Sequence, residues 1–259
     1  MSLPFPFDVI PHYIEVIQLG LVPTLRGILA EPSLLLNPAR ISHLFFSHAW
    51  LVLGPHIDSN NRSTKYDLLF PHASGVVLDV GAGHGYTMQY LDKEKVTRYV
   101  AVEPNAYMHE QIYKMAAKCG FSVENGEVVV LGCGAEDTET IKEAVGKAGN
   151  ADTVVSVLTL CSVRDAKRVV GRLLDEVLRP GGEVLWYEHV KSPLASVSFW
   201  QTVFSPIWSL AFDGCRMCQD TIGILLTATK WSETYIWDNP GEEKEKSLMF
   251  HQLGRFVKA

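Results

Sequence analysis

The stretch Val76-Val77-Leu78-Asp79-Val80-Gly81-Ala82-Gly83-His84-Gly85 decides the fold. Its first half is a short apolar, β-branched run, which is how a strand buried on both faces reads. Its second half is a glycine loop, where the backbone can turn sharply and approach a ligand without a Cβ in the way. In an open α/β sheet, ligands bind at the carboxyl ends of the strands, around such a first turn. The spacing excludes two nucleotide motifs. Counted from Gly81 and Gly83, the third glycine of a dinucleotide fingerprint falls on Tyr86, and no Gly-Lys-Ser/Thr follows as a phosphate-binding loop requires.

Outward from this loop, strands and helices alternate. Residues 98–103, 127–131, 152–158 and 183–187 read as further strands, the last following the stop signal Leu178-Arg179-Pro180-Gly181-Gly182. Helical spacing fills the gaps, as at Val169, Leu173, Leu174 and Val177. This alternation predicts a parallel sheet covered on both faces. The end differs: residues 231–237 and 248–257 flank Asn239-Pro240-Gly241 and predict an antiparallel hairpin. Residues 1–55 read as a helical cap and 56–259 as the core. Ile10, Tyr13, Ile14, Ile17 and Leu21 form a helical stripe that should pack inward, roof a ligand site or touch a membrane. Pro11, Pro23, Pro32 and Pro38 should cut the cap into short pieces, and the polar run 56–63 reads as a linker.

Composition bounds the function. The 259 residues carry 23 Lys+Arg against 29 Asp+Glu, a net charge of −6, which argues against nucleic acid as a partner. The sequence holds no run of ~18 uninterrupted apolar residues for a membrane span, and its start reads without a secretion signal. Five scattered cysteines fit a reducing, cytoplasmic setting better than a disulfide framework.

Acidic residues recur at the strand ends. Glu103 lies 18 residues past Gly85, where a carboxylate can accept from two ribose hydroxyls. After the third strand comes Gly132-Cys133-Gly134-Ala135-Glu136-Asp137, a turn suited to an adenine edge. With the glycine loop and Leu178-Arg179-Pro180-Gly181-Gly182, this set resembles the class I S-adenosylmethionine-dependent methyltransferases over residues ~75–190. The resemblance implies a Rossmann-like α/β fold: a seven-stranded sheet, last strand antiparallel, with helices on both faces. It implies S-adenosyl-L-methionine as cofactor and S-adenosyl-L-homocysteine as product. Asp79, Gly81, Ala82, Gly83 and Gly85 would then face the methionyl part, Glu103 the ribose, and Ala135 and Glu136 the adenine; Pro104, Leu158 and Thr159 complete the cofactor set.

A narrower resemblance rests on residues 158–163, Glu188-His189-Val190 and Phe212-Asp213-Gly214-Cys215, which are similar to the animal microsomal alkyl-thiol methyltransferases. It implies a thiol acceptor. Those proteins carry an apolar N-terminal anchor where this chain has a proline-broken amphipathic segment, and the similarity fades through the C-terminal hairpin.

Methyl transfer needs alignment, exclusion of water and, for some acceptors, a base. His189, after the fifth strand, is the first candidate for base or positioning group, against the plainer reading of a histidine bound to a loop carbonyl. Asp213 is the second, with His84, His43 and His48 behind. Trp200, Phe204, Trp208 and Phe212, at four-residue steps, predict one helix face that packs on the cap or walls an apolar acceptor pocket. Cys215-Arg216-Met217-Cys218 has no second pair nearby, so no metal is read there. The reading is a methyltransferase of a small lipophilic acceptor, most simply a thiol. The rivals are O- or N-methylation of a specialised metabolite, and a protein that keeps the cofactor for a reaction other than methylation. The oligomeric state stays open.

Overall fold

The computed structural model describes residues 5–7, 10–146 and 150–259; residues 1–4 and 8, part of the start read for a secretion signal, lie outside these. Three helices precede the sheet: α1 (Ile10–Ala30), α2 (Pro38–Asn60) and α3 (Arg62–Leu69). Then follow β1 (Gly75–Val80), β2 (Val96–Val102), α4 (His109–Lys118), β3 (Val128–Leu131), α5 (Thr138–Val145), β4 (Ala151–Val157) and α6 (Ala166–Glu176). The chain ends with β5 (Leu178–His189), α7 (Ala195–Ala211), α8 (Thr221–Ala228), β6 (Trp231–Asp238) and β7 (His251–Lys258).

The strands form one seven-stranded sheet in the order β3-β2-β1-β4-β5-β7-β6. β7 runs against both neighbours, which is the reversed last strand and the hairpin read from the sequence. β5 begins at Leu178, so the segment expected to end before it is taken into the strand as an irregularity, with Ala151 opposite Leu178 and Thr153 opposite Glu183.

Strand alternation sorts the core into two layers. Leu78, Val80, Val100, Val102 and Trp186 face Ile141, Val169, Leu173 and Leu225 of α5, α6 and α8. Val77, Tyr99, Ala101 and Tyr187 face Leu68 and Leu69 of α3 and Ile112 and Ala116 of α4. Burying strands on both faces in this way leaves their carboxyl ends as the place for a site.

The cap departs from the sequence reading in three ways. First, the prolines cut it only once, where Pro32 opens a short 3-10 turn (Pro32–Leu36) between α1 and α2. Pro11 sits in the first turn of α1 and Pro38 opens α2, where a missing N–H costs nothing, while α1 and α2 run on through Pro23 and Pro55. Second, residues 56–63 are no linker: α2 and α3 carry helix through nearly all of them. Third, the apolar stripe of α1 points outward, with Ile14, Ile17, Leu21 and Leu25 about half exposed. The covered side is the small one. An added Cβ would come within 2.7 Å of Phe45 at Gly20 and of Leu44 at Gly27, so α2 lies against α1's glycines. By length and composition, α1 (21 residues, with an 18-residue window of mean hydropathy 1.3) is long and apolar enough to cross a membrane, although Glu15 and Arg26 interrupt its apolar run.

Candidate active site

The glycine loop leaves β1 with Gly81 at φ +67° and Gly85 at φ +76°, a region closed to most side chains. At Gly81 a Cβ would also lie 2.3 Å from Thr159. That threonine heads the turn after β4 and donates to the Gly81 carbonyl at 3.2 Å, so the two loops close on each other. Glu103 is buried just past β2. Its carboxylate accepts from the Gly83 N–H at 2.7 Å and the Asn105 N–H at 2.9 Å. Burial pushes its pKa up to about 7 against the pull of these two donors, with Asp213 and Asp79 adding to the rise. Asp79 accepts from the Tyr99 hydroxyl beneath the loop, and burial raises it to about 6. His84 is buried, and desolvation lowers it to about 4, so it is neutral in the loop.

The turn after β4 depends on Glu188, to which its sequence position assigns no role. Glu188 is fully buried, and its carboxylate accepts from the Ser156 hydroxyl at 2.6 Å and from the N–H groups of Thr159 and Leu160 at 3.1 Å. These bonds hold Leu158 at φ 57°, a left-handed conformation that a leucine keeps only when its surroundings impose it. A glutamate at the end of a buried strand is the signal that could have found it, because a buried carboxylate must have donors. At the next strand end, Ala135 is buried and Glu136 exposed, while Asp137 caps α5 through the Thr140 N–H.

α2 and α3 roof the loop. Trp50, Gly54, Asp58 and Lys65 enclose, with Gly81–Gly83 and Leu158, a cavity of about 50 Å³. Asp58 is buried and bonds Lys65, the Tyr90 hydroxyl at 2.8 Å and Gln89 at 2.7 Å, which ties the roof to the segment after the glycine loop. The His43 carbonyl accepts from Asn105 at 2.9 Å, fixing α2 above the end of β2.

The two catalytic candidates have different surroundings. Asp213, in the left-handed region at φ 46°, lies 3.8 Å from His43 of the roof. Burial raises its pKa and His43 opposes the rise. His189 ends β5 fully buried, with Nε2 at 3.1 Å from the Leu248 carbonyl and Nδ1 at 3.6 Å from Cys215 Sγ. Both ring nitrogens are thus engaged inside the protein, which matches the plainer reading of this residue and leaves none facing an acceptor. Cys215 meets Cys161 and His189 in space, a grouping invisible to local spacing. The aromatic helix face packs on the cap as predicted: the Tyr13 ring lies 5.0 Å from Trp208, and Trp208 stacks on Phe212 at 3.7 Å.

A backbone cradle with no room for a Cβ at Gly81 and a buried carboxylate at the end of β2 are the features an S-adenosylmethionine site needs. Residues 59–221 match the family model of a methyltransferase domain. The chain is 31% identical to thiol S-methyltransferase TMT1B of Homo sapiens over 222 residues, 83% of this chain and 86% of that one. Among solved structures, an O-methyltransferase family protein from Burkholderia thailandensis shares the fold with a TM-score of 0.56 at 15% identity, covering 85% of this chain and 60% of that one. The N-methyltransferase NodS from Bradyrhizobium japonicum WM9, in complex with S-adenosyl-L-homocysteine, gives 0.53 at 11% identity over 78% of this chain and 87% of that one. The chain belongs to the methyltransferase domain family and is an S-adenosylmethionine-dependent methyltransferase.

Proposed function

We propose that the protein methylates the sulfur of a small lipophilic thiol. The observation that carries this reading is the 31% identity to a thiol S-methyltransferase along 83% of the chain, which takes in the roof, both cofactor loops and the Asp213 segment. The site's chemistry supports it. Bound S-adenosylmethionine supplies a methyl already activated for displacement. The chain's own residues then have three tasks: to seat the cofactor, keep water out and steer the acceptor. Glu103 and the glycine loop do the first, and the roof around Trp50 does the second. A thiol ionises near pH ~8.5 unaided, so a weak base suffices. Asp213, half-buried beside His43, is our candidate to take that proton, in preference to His189.

The apolar outer face of α1 extends the reading. We propose that it rests on a lipid surface, from which a lipophilic acceptor reaches the roof helices directly.

The test is a panel of alkyl and aryl thiols with phenols and amines of matched shape, each incubated with S-adenosylmethionine. Products are read by mass for one added methyl and for S-adenosylhomocysteine. Turnover on thiols should exceed that on the matched phenols and amines by about tenfold or more, a preference of ~1.4 kcal/mol in the transition state. Equal or faster transfer to oxygen or nitrogen would overturn the thiol assignment, and product of unchanged mass would point to a reaction other than methylation.

A further inference from the structure

Three side chains that no local motif unites meet behind the turn after β4. Cys161 lies in that turn, His189 ends β5 and Cys215 sits in the loop after α7. The two sulfurs and an imidazole nitrogen lie within 4.8 Å of one another. We propose that Cys161 Sγ, His189 Nδ1 and Cys215 Sγ bind a single zinc ion.

The geometry suits it. Zinc bonds of ~2.3 Å to sulfur and ~2.0–2.1 Å to nitrogen, at a tetrahedral angle, set sulfur and nitrogen ~3.6 Å apart. Cys215 Sγ and His189 Nδ1 are 3.6 Å apart. The imidazole is also oriented as a ligand should be. Its Nε2 faces the Leu248 carbonyl at 3.1 Å, and since that oxygen can only accept, Nε2 carries the proton. Nδ1 therefore presents its lone pair to the sulfurs. A ring N–H donated to a backbone carbonyl is the usual support behind a zinc-bound histidine. Buried Gln201 backs this arrangement, donating to the same Leu248 carbonyl at 3.0 Å and to the Val190 carbonyl at 3.1 Å.

The two cysteines are fixed as firmly. Arg216, next to Cys215, donates its backbone N–H to the Cys161 carbonyl at 3.1 Å and its guanidinium to the Cys161 and Val163 carbonyls. The loop after α7 is thereby stitched to the turn after β4. Outside the trio, Cys161 Sγ has only long contacts, 3.9 Å to the Leu158 carbonyl and to the Ser162 hydroxyl, so it is not committed elsewhere. On binding, each thiol loses its proton to solvent as its zinc–sulfur bond forms. Two thiolates then cancel the charge of the ion, and a neutral cluster can stay in a buried place. Three protein ligands leave one tetrahedral position for water or another outside ligand, the number found at open zinc sites. Cys218, three residues past Cys215, is outside the cluster, so the C-x-x-C spacing plays no part. The proposal is independent of which acceptor the enzyme methylates.

The test uses the full chain, purified with reductant and without chelator, and measured for metal by plasma mass spectrometry. Chelator-stripped protein is then titrated with zinc chloride and, separately, with cobalt(II) chloride. About one zinc per chain should survive gel filtration, and cobalt should give a thiolate charge-transfer band. Cys161→Ser, Cys215→Ser and His189→Ala should each weaken zinc by about 100-fold or more, whereas Cys218→Ser and Cys133→Ser should not. Cys215→Ser changes a loop residue, and its fold is checked by S-adenosylhomocysteine binding in a thermal-shift assay. The proposal falls if fully reduced protein, with all five thiols titratable, takes up no zinc. It falls equally if Cys215→Ser keeps its affinity while folded, or if the trio yields only a Cys161–Cys215 disulfide and no metal after reduction.

Discussion

Glu103 holds the glycine loop through the Gly83 N–H, and its protonation state bears on that hold. In the unfolded chain a glutamate ionises near 4.5, whereas here it does so at about 7. Between these values the folded state binds the extra proton. The stabilisation this gives is present in full below the unfolded value and is lost as pH rises through about 7. Asp79, raised to about 6, acts in the same direction at lower pH. Denaturation of the cofactor-free enzyme should therefore show stability falling across this window, and Glu103→Gln should flatten the fall; equal slopes would sink the assignment. The same variant should bind S-adenosylhomocysteine about 10- to 100-fold more weakly, since it loses a charged acceptor. Glu188 makes a different prediction. Glu188→Ala leaves the Ser156 hydroxyl and two N–H groups without their acceptor in a buried place, so urea denaturation should register a loss of about 3 kcal/mol or more. Retained stability would mean that the turn finds other partners. The position of Glu103 beside the glycine loop was legible because it follows a strand at a fixed distance from that loop. The role of Glu188 was not, because what it bonds depends on how the next turn folds back.

At the scale of elements, β1 to β4 read correctly because each is short, β-branched and bounded by glycine or charge, and burial on both faces leaves little ambiguity. β5 did not, because Leu178–Gly182, read as a stop, forms its first part. The cap misread for reasons equally physical. Periodicity finds an apolar stripe but not which side of the helix is covered, and in α1 close packing chose the side with glycines. The polar run 56–63 looked like a solvated linker because its residues are individually hydrophilic. In the fold, Asp58 is buried against Lys65, Tyr90 and Gln89, so its polarity serves a network between elements. The packing of α1 on α2 can be tested by contrast. Gly20→Leu places a side chain where even a Cβ comes within 2.7 Å of Phe45, and should cost about 1–3 kcal/mol. Ile17→Ser, on the open face, should change stability by no more than about 0.5 kcal/mol. Matched urea titrations decide, and the reverse order would mean that the apolar stripe is the packed side after all.

For the whole molecule, the arrangement of exposed apolar residues matters more than their number. α1 shows Ile14, Ile17, Leu21, Leu25 and Leu29 to the outside, and α7, which meets α1 at Tyr13, shows Phe199, Val203, Ile207 and Leu210. An apolar face of this kind favours a lipid surface, yet the chain carries a net charge of −6, so anionic headgroups give it no general attraction. Apolar insertion and electrostatic attraction separate by salt. At 1 M salt the Debye length shrinks to about 3 Å and charge attraction between surfaces vanishes, while burial of hydrocarbon does not weaken. The full chain should therefore co-sediment with neutral phosphatidylcholine vesicles, and as well at about 1 M salt as at about 0.1 M. Replacing Ile14, Ile17, Leu21 and Leu25 together with serine should release it from the vesicles. Turnover of a water-soluble thiol should persist in that variant, because these side chains face away from the roof over the glycine loop. Should the unaltered chain stay in the supernatant at both salt concentrations, the outer face of α1 must be covered by something other than lipid, and the delivery of acceptors from a membrane falls with it.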